Sequence, residues 1–188
     1  MLSDFSARNR TVKEGCAFIG TTPKVPVAEM KIDEDQSAVA QLQTGDLTAT
    51  LDAAVRDGIE KIVVGAIISR DGKVLVLRRR QDDFLGGLDE LPSGHVEHGE
   101  SVLAALRREV KEETGLEITR INGLVGQFDY LTGSGKKARQ LNFATEVSCS
   151  ESDITLTEHS AYSWTGPKEA QALNLSENVS QVLALYWS

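Results

Sequence analysis

Residues 94–116, GHVEHGESVLAALRREVKEETGL, limit the fold more than any other stretch. Val102, Leu103, Leu106 and Val110 recur at helical spacing, and Gly115 stands where a left-handed C-cap belongs. The spacing predicts a helix that must bury one stripe against another layer. Its acids are unusually placed. Glu109, Glu112 and Glu113 crowd the last turns, where the negative end of the helix dipole disfavours them. At about 100° per residue, with Glu109 at zero, Glu113 falls near +40° and Glu112 near −60°. Val102, Leu106, Val110 and Leu103 fall near +20°, +60°, +100° and +120°. Glu113 is therefore expected along the apolar edge. Arg107 and Lys111 point well away, while Arg108, near −100°, lies within reach of Glu112.

A charged run on a helix is ordinarily a solvated face. Carboxylates bordering a buried stripe instead lose hydration and repel one another unless a partner satisfies them. Three converging carboxylates suit a hard cation such as Mg²⁺, which prefers oxygen ligands and keeps several waters. The loop GHVEHGE just ahead, residues 94–100, can add a backbone carbonyl. The net charge of −8 fits this reading. It argues against a basic face for nucleic acid and against binding to anionic membranes. An anionic substrate would then be attracted through a bound cation.

The chain has 188 residues, 40% hydrophobic and 26% charged, enough for one domain with an extension. Residues 1–60 are expected as an extension and 61–188 as the domain. In the extension, KVPVAEMKI (24–32) reads as an edge strand because of Pro26, residues 33–46 as a linker, and Leu47, Leu51, Ala54 and Val55 as a helix closed by Gly58. From 61, two β-rich runs meet at Asp71-Gly72, a hairpin turn. A loop rich in glycine and acids (81–93) precedes the helix. Three more β-like runs follow, around 117–130, 140–149 and 154–165, then a short helix at 167–173 and a last one at about 176–186. Strands and helices mix without strict alternation, which predicts an α/β (α+β) architecture with a mixed sheet packed by helices. Cys16 and Cys149 read as two reduced thiols. No signal pattern opens the chain and its longest apolar run, IVVGAII, is too short to span a bilayer, so a cytoplasmic protein is expected.

The stretch 94–116 resembles the signature of the Nudix hydrolases: a glycine, five residues, a glutamate, seven residues, Arg-Glu, an apolar residue, any residue, Glu-Glu, any residue, Gly and an apolar residue. Gly94, Glu100, Arg108, Glu109, Val110, Glu112, Glu113, Gly115 and Leu116 match every fixed position. A chance match is on the order of one in ten million. The resemblance implies a mixed sheet sandwiched between helices. It also implies hydrolysis of a diphosphate linkage in a nucleoside diphosphate derivative, with Mg²⁺ or Mn²⁺. By the same resemblance Glu109, Glu112, Glu113 and the Gly94 carbonyl would be metal ligands. Glu100 and Arg108 would be a bracing ion pair. Glu158, in a late loop, would be a further ligand or the base.

Other candidates follow from the residues themselves. Arg78 and Arg80 share a strand face opposite Arg79 and are candidates for substrate phosphates. Phe84 and Tyr130 are candidates to stack on a base, and Gln140 and Asn142 to read a base edge. His159 is an alternative base, while His95 and His98 are expected to face solvent. The favoured substrate is a small nucleotide, a nucleoside triphosphate, modified or not. ADP-ribose or a nucleotide sugar is the alternative. Some relatives of that second type form a homodimer through an N-terminal β extension, a role open to KVPVAEMKI. The proline usual downstream of their box is missing, since residues 117–166 contain none. A protein that only binds nucleotide is disfavoured by the intact box. An isopentenyl diphosphate isomerase is excluded because Cys16 lies far from the place its catalytic cysteine would need.

Overall fold

The computed structural model describes residues 27, 44–83, 85–148 and 154–188. Phe84, Cys16, Cys149 and all of KVPVAEMKI except Val27 lie outside the described residues. The elements run α1 (Thr44–Arg56), β1 (Lys61–Arg70), β2 (Lys73–Arg79), β3 (Asp89–Glu90), β4 (Ser93–His95), α2 (Val102–Thr114), β5 (Glu117–Leu131), β6 (Lys137–Ser148), β7 (His159–Thr165), a 3-10 turn (Glu169–Ala172) and α3 (Glu177–Trp187). The mixed α/β architecture is as expected.

β1 and β2 join through Asp71 and Gly72, whose φ values of 50° and 75° suit the left-handed turn of a tight hairpin. They pair only next to that turn, at Ser69↔Val74 and Arg70↔Lys73. Farther back, β1 pairs with β4 on one side and β2 pairs with β3 and β7. The sheet therefore opens into two wings hinged at the hairpin. β1 also runs parallel to β6, from Lys61↔Ala138 to Ile68↔Thr145, and β5 closes that edge antiparallel to β6. Parallel pairing places β1 in the sheet centre, which explains why Ile62–Ile68 is apolar on both faces.

The alternating residues Ile62, Val64, Ala66 and Ile68 join Leu75, Leu77, Leu141, Phe143 and the α2 residues Val102, Leu103, Leu106 and Val110 in one core. Ile67, on the other face, packs with Val179, Val182 and Leu183 of α3. Both core helices begin at serine caps: Ser101 Oγ accepts from the Ala104 N–H, and Ser176 Oγ from the Val179 N–H. Gly115 ends α2 at φ 74°, as its sequence position implied.

Packing does not stop at residue 60. Leu47, Leu51 and Ala54 of α1, and Val27, belong to the same core as the α2 stripe. Arg139 on β6 ties the end of α1 to the sheet by donating to Asp57 at 2.8 Å and to Asp129 at 2.7 and 2.8 Å. No helix among the described residues is long and apolar enough to cross a membrane.

Leu47 is 1% exposed. Leu47→Ala should therefore cost about 2–4 kcal/mol, read as a lower urea midpoint with an unchanged slope. A loss below about 0.5 kcal/mol would mean that α1 is not part of the folded core.

Candidate active site

The site forms where α2, packed on β1, β4 and β5, brings its acids within electrostatic reach of Glu90 on β3 and Glu158 in the late loop. Burial of its three acids follows their helical angles. Glu113 is 6% exposed, whereas the side chains of Glu109 and Glu112 are 14% and 57% exposed. Glu113 Oε2 accepts from the Ser93 N–H at 2.9 Å. Burial, opposed by that hydrogen bond and aided by the charges of Glu90, Glu109 and Glu158, pushes its carboxyl up to about 8. Burial also raises Glu109, against the pull of Arg108.

Arg108 holds the loop to the helix. Its guanidinium donates to Glu100 at 2.9 and 3.0 Å, Glu109 at 2.8 Å, Glu112 at 3.1 Å and the His95 carbonyl at 2.9 Å. Glu100 Oε2 also accepts from the Glu97 N–H. Gly94 pairs with Val64 in β4, and a Cβ there would overlap the Glu109 carboxylate. Only glycine lets this loop lie against the acids. His95 and His98 are exposed, as expected, and Lys61 Nζ lies 3.2 Å from His95 Nε2.

The late loop is fixed to the C-terminal carbonyls of α2. The Thr155 N–H donates to the Thr114 carbonyl, and Thr157 Oγ1 to the Glu112 carbonyl at 2.7 Å. Glu158 follows directly, exposed but close enough for its charge to raise Glu113. Arg80 donates to the Thr157 carbonyl at 2.8 Å, which holds the same loop.

Arg78 and Arg79 at the end of β2 turn to opposite sides, but Arg80, expected to share a face with Arg78, lies past the strand end and past a register shift at Arg78/Arg79, and the acid cluster receives Arg79. Arg78 is committed to the buried Asp89, with two contacts of 2.8 Å on the other face. Arg79 lies 2.7 Å from Glu90 and 3.0 Å from Asp83, and its charge reaches Glu113. Glu90 carried no sequence signal, because its loop has no periodicity. The pairing Leu77↔Glu90 brings it to the site. His159 is not open to water: its Nε2 lies 2.9 Å from Glu90 Oε1, and its buried Nδ1 has no partner among the described residues. Tyr130 is half-buried. Burial and the Glu90 charge raise its phenol against the influence of Arg79, which places it beside these groups.

Among the described residues no three His, Cys, Asp or Glu side chains close into a cage around an ion. The acids line an open wall, with Glu109 turned to Arg108 and Glu113 to Ser93. All-oxygen donors with a buried, like-charged neighbourhood fit a hydrated divalent cation, which takes one or two carboxylates and keeps waters or phosphate oxygens for its other positions.

Comparison with known proteins agrees with this geometry. The NUDIX domain model matches residues 60–186. The chain thus belongs to the Nudix family and is a Nudix hydrolase. It is 37% identical over 109 residues to the CTP pyrophosphohydrolase of Escherichia coli, covering 57% of this chain and 77% of that protein. It is 43% identical over 67 residues to an ADP-ribose pyrophosphatase of Methanocaldococcus jannaschii, but this match covers 36% of this chain and only 38% of that protein. The MutT protein of Methanosarcina mazei superposes with a TM-score of 0.59 at 29% identity, over 66% of this chain and 90% of that one. The E. coli ORF135 protein gives 0.55 at 33% identity, over 67% and 87%.

The raised Glu113 carboxyl makes a stability prediction. The folded chain keeps this proton where the unfolded chain has lost it, so metal-free stability falls as pH rises from the ordinary carboxylate range to about 8. Glu113→Gln, which cannot ionise, should match the wild type near pH 4 and exceed it by a few kcal/mol above pH 8 in urea unfolding. A difference that does not change with pH would contradict the assignment.

Proposed function

We propose that the chain is a divalent-cation-dependent nucleotide pyrophosphohydrolase, with nucleoside triphosphates as its substrates. One observation carries the catalytic reading. Glu113 is nearly buried among Glu90, Glu109 and Glu158, an arrangement that a cation would relieve. Glu109, Glu112, Glu113 and the Gly94 carbonyl would hold Mg²⁺ or Mn²⁺. A bound ion supplies charge neutralisation on the diphosphate and a more acidic water. Arg108 and Glu100 keep the Gly94 loop against α2, so the carbonyl and the acids stay in register. Arg79 stands beside the acids and suits a phosphate oxygen. Glu158 would take a proton from the attacking water, and the Thr155 and Thr157 hydrogen bonds fix its loop. Arg80 supports that loop through the Thr157 carbonyl.

The triphosphate assignment draws on the E. coli CTP pyrophosphohydrolase, whose length is mostly matched. A diphosphate linked to a sugar, as in ADP-ribose, is the second reading, favoured by the Methanocaldococcus jannaschii relative over a shorter span. A panel of nucleoside triphosphates, ADP-ribose and nucleotide sugars with Mg²⁺, with products identified by mass, separates the two. Glu112→Gln and Glu109→Gln should each lower kcat by about a hundredfold or more while the fold persists. Activity should rise from acidic to alkaline pH, because metal ligation needs ionised carboxylates. Turnover that survives chelation of divalent cations, or that peaks near pH 5, would overturn the proposal.

A further inference from the structure

Gln140 and Asn142 alternate on β6 with Leu141 and Phe143, which point into the α2 core. Their two side chains therefore face the opposite side of the sheet. There Phe128 pairs with Gln140, Gly126 with Asn142, and Gly65 of β1 with Asn142. Asn142 is fully buried and Gln140 is 7% exposed. A Cβ at Gly65 would overlap the Asn142 amide oxygen and sit 2.7 Å from Gln140 Nε2, so glycine lets both amides lie flat on β1.

The hydrogen bonds fix which way each amide points. The Gly126 carbonyl can only accept, and Asn142 Nδ2 donates to it at 3.3 Å. Asn142 Oδ1 must then be the accepting end, and Gln140 Nε2 donates to it at 2.9 Å. This relay forces Gln140 Oε1 outward, and that oxygen takes no hydrogen bond among the described residues. Gln140 is nearly buried and its Nε2 is committed to Asn142, so Oε1 is the end of the amide left to accept from a ligand N–H.

The surroundings suit a base. Phe128, half-buried, lies directly across from Gln140, and Tyr130 follows on the same face with ring centroids 6.0 Å apart. The α3 residues Val182 and Leu185 pack over Gly126, at the other end. Tyr130 in turn lies near enough to Glu90 and Arg79 for their charges to act on its phenol, which brings this end of the face towards the acid cluster.

We infer that Gln140 Oε1 is the nucleobase acceptor of this enzyme, oriented by Asn142. It selects adenine and cytosine, which carry an amino group where guanine and uracil carry an oxygen. The inference rests on the nucleotide reading above. An amino group donates to Oε1, while a carbonyl oxygen meets it lone pair to lone pair and leaves it unsatisfied. Phe128 supplies the apolar contact for the ring. Asn142 is a positioning residue, because it acts only through Gln140.

Calorimetric binding of ADP, CDP, GDP and UDP with Mg²⁺ tests this. ADP and CDP should bind the wild-type protein about tenfold or more tightly than GDP and UDP. Gln140→Leu should bring the four to within about threefold of one another by weakening ADP and CDP. Asn142→Leu, which leaves Gln140 in place but free to turn, should erase the preference in the same way. The wild-type ranking needs no variant to fold. Equal binding, or tighter binding of GDP or UDP, would overturn the inference, as would an unchanged ratio in Gln140→Leu. Binding is read without turnover. Selective binding of ADP and CDP with no hydrolysis of any nucleotide would therefore overturn the catalytic reading and support this one.

Discussion

One guanidinium holds the site together. Arg108 bonds Glu100 and the His95 carbonyl on the loop, and Glu109 and Glu112 on α2, so loop and helix cannot shift independently. This clamp has a geometric condition: the loop must approach the acids closely, and Gly94 meets it because any Cβ would overlap Glu109. It also has an electrostatic consequence. Arg108 offsets Glu100, Glu109 and Glu112 but none of its hydrogen bonds reaches Glu113. The deepest acid keeps one backbone hydrogen bond and three negative neighbours. The open demand for positive charge is concentrated on the wall that faces the cleft.

The second support is a network on the opposite wing. Glu90 Oε1 meets both Arg79 and His159, and His159 lies just after the Glu158 loop. The loop is tied to α2 on its other side by Thr155 and Thr157. Acids from β3, α2 and the late loop thus converge through contacts each element makes independently. Such redundancy suits a site where like charges would otherwise push the elements apart.

What the sequence revealed was local. The angular order of Glu113, Glu109 and Glu112 around the helix became the order of their burial, because one helix carries all three. The Asp71-Gly72 turn, the Gly115 cap and the alternation of Arg78 and Arg79 are likewise fixed by neighbouring residues. What it hid was set by pairing at a distance. The parallel match of β1 with β6 joins residues more than seventy apart, and no period in either strand encodes it. Glu90 reached the site only through a two-residue strand, and the short β4 that carries Gly94 was invisible for the same reason. His159, an alternative base by composition, was buried by its pairing with Glu90. Arg78 carried the expectation for phosphate, but Asp89, itself inside, claimed it on the far face.

Glu109 and Glu113 are proposed to hold a divalent cation. Thermal unfolding at pH 8 with and without Mg²⁺ tests this directly, because an ion that binds only the folded chain must raise its melting temperature. The wild-type protein should gain several degrees at millimolar Mg²⁺, and the Glu109→Gln/Glu113→Gln double variant should gain none. The same Mg²⁺-dependent rise in both proteins would place the ion elsewhere and contradict the account.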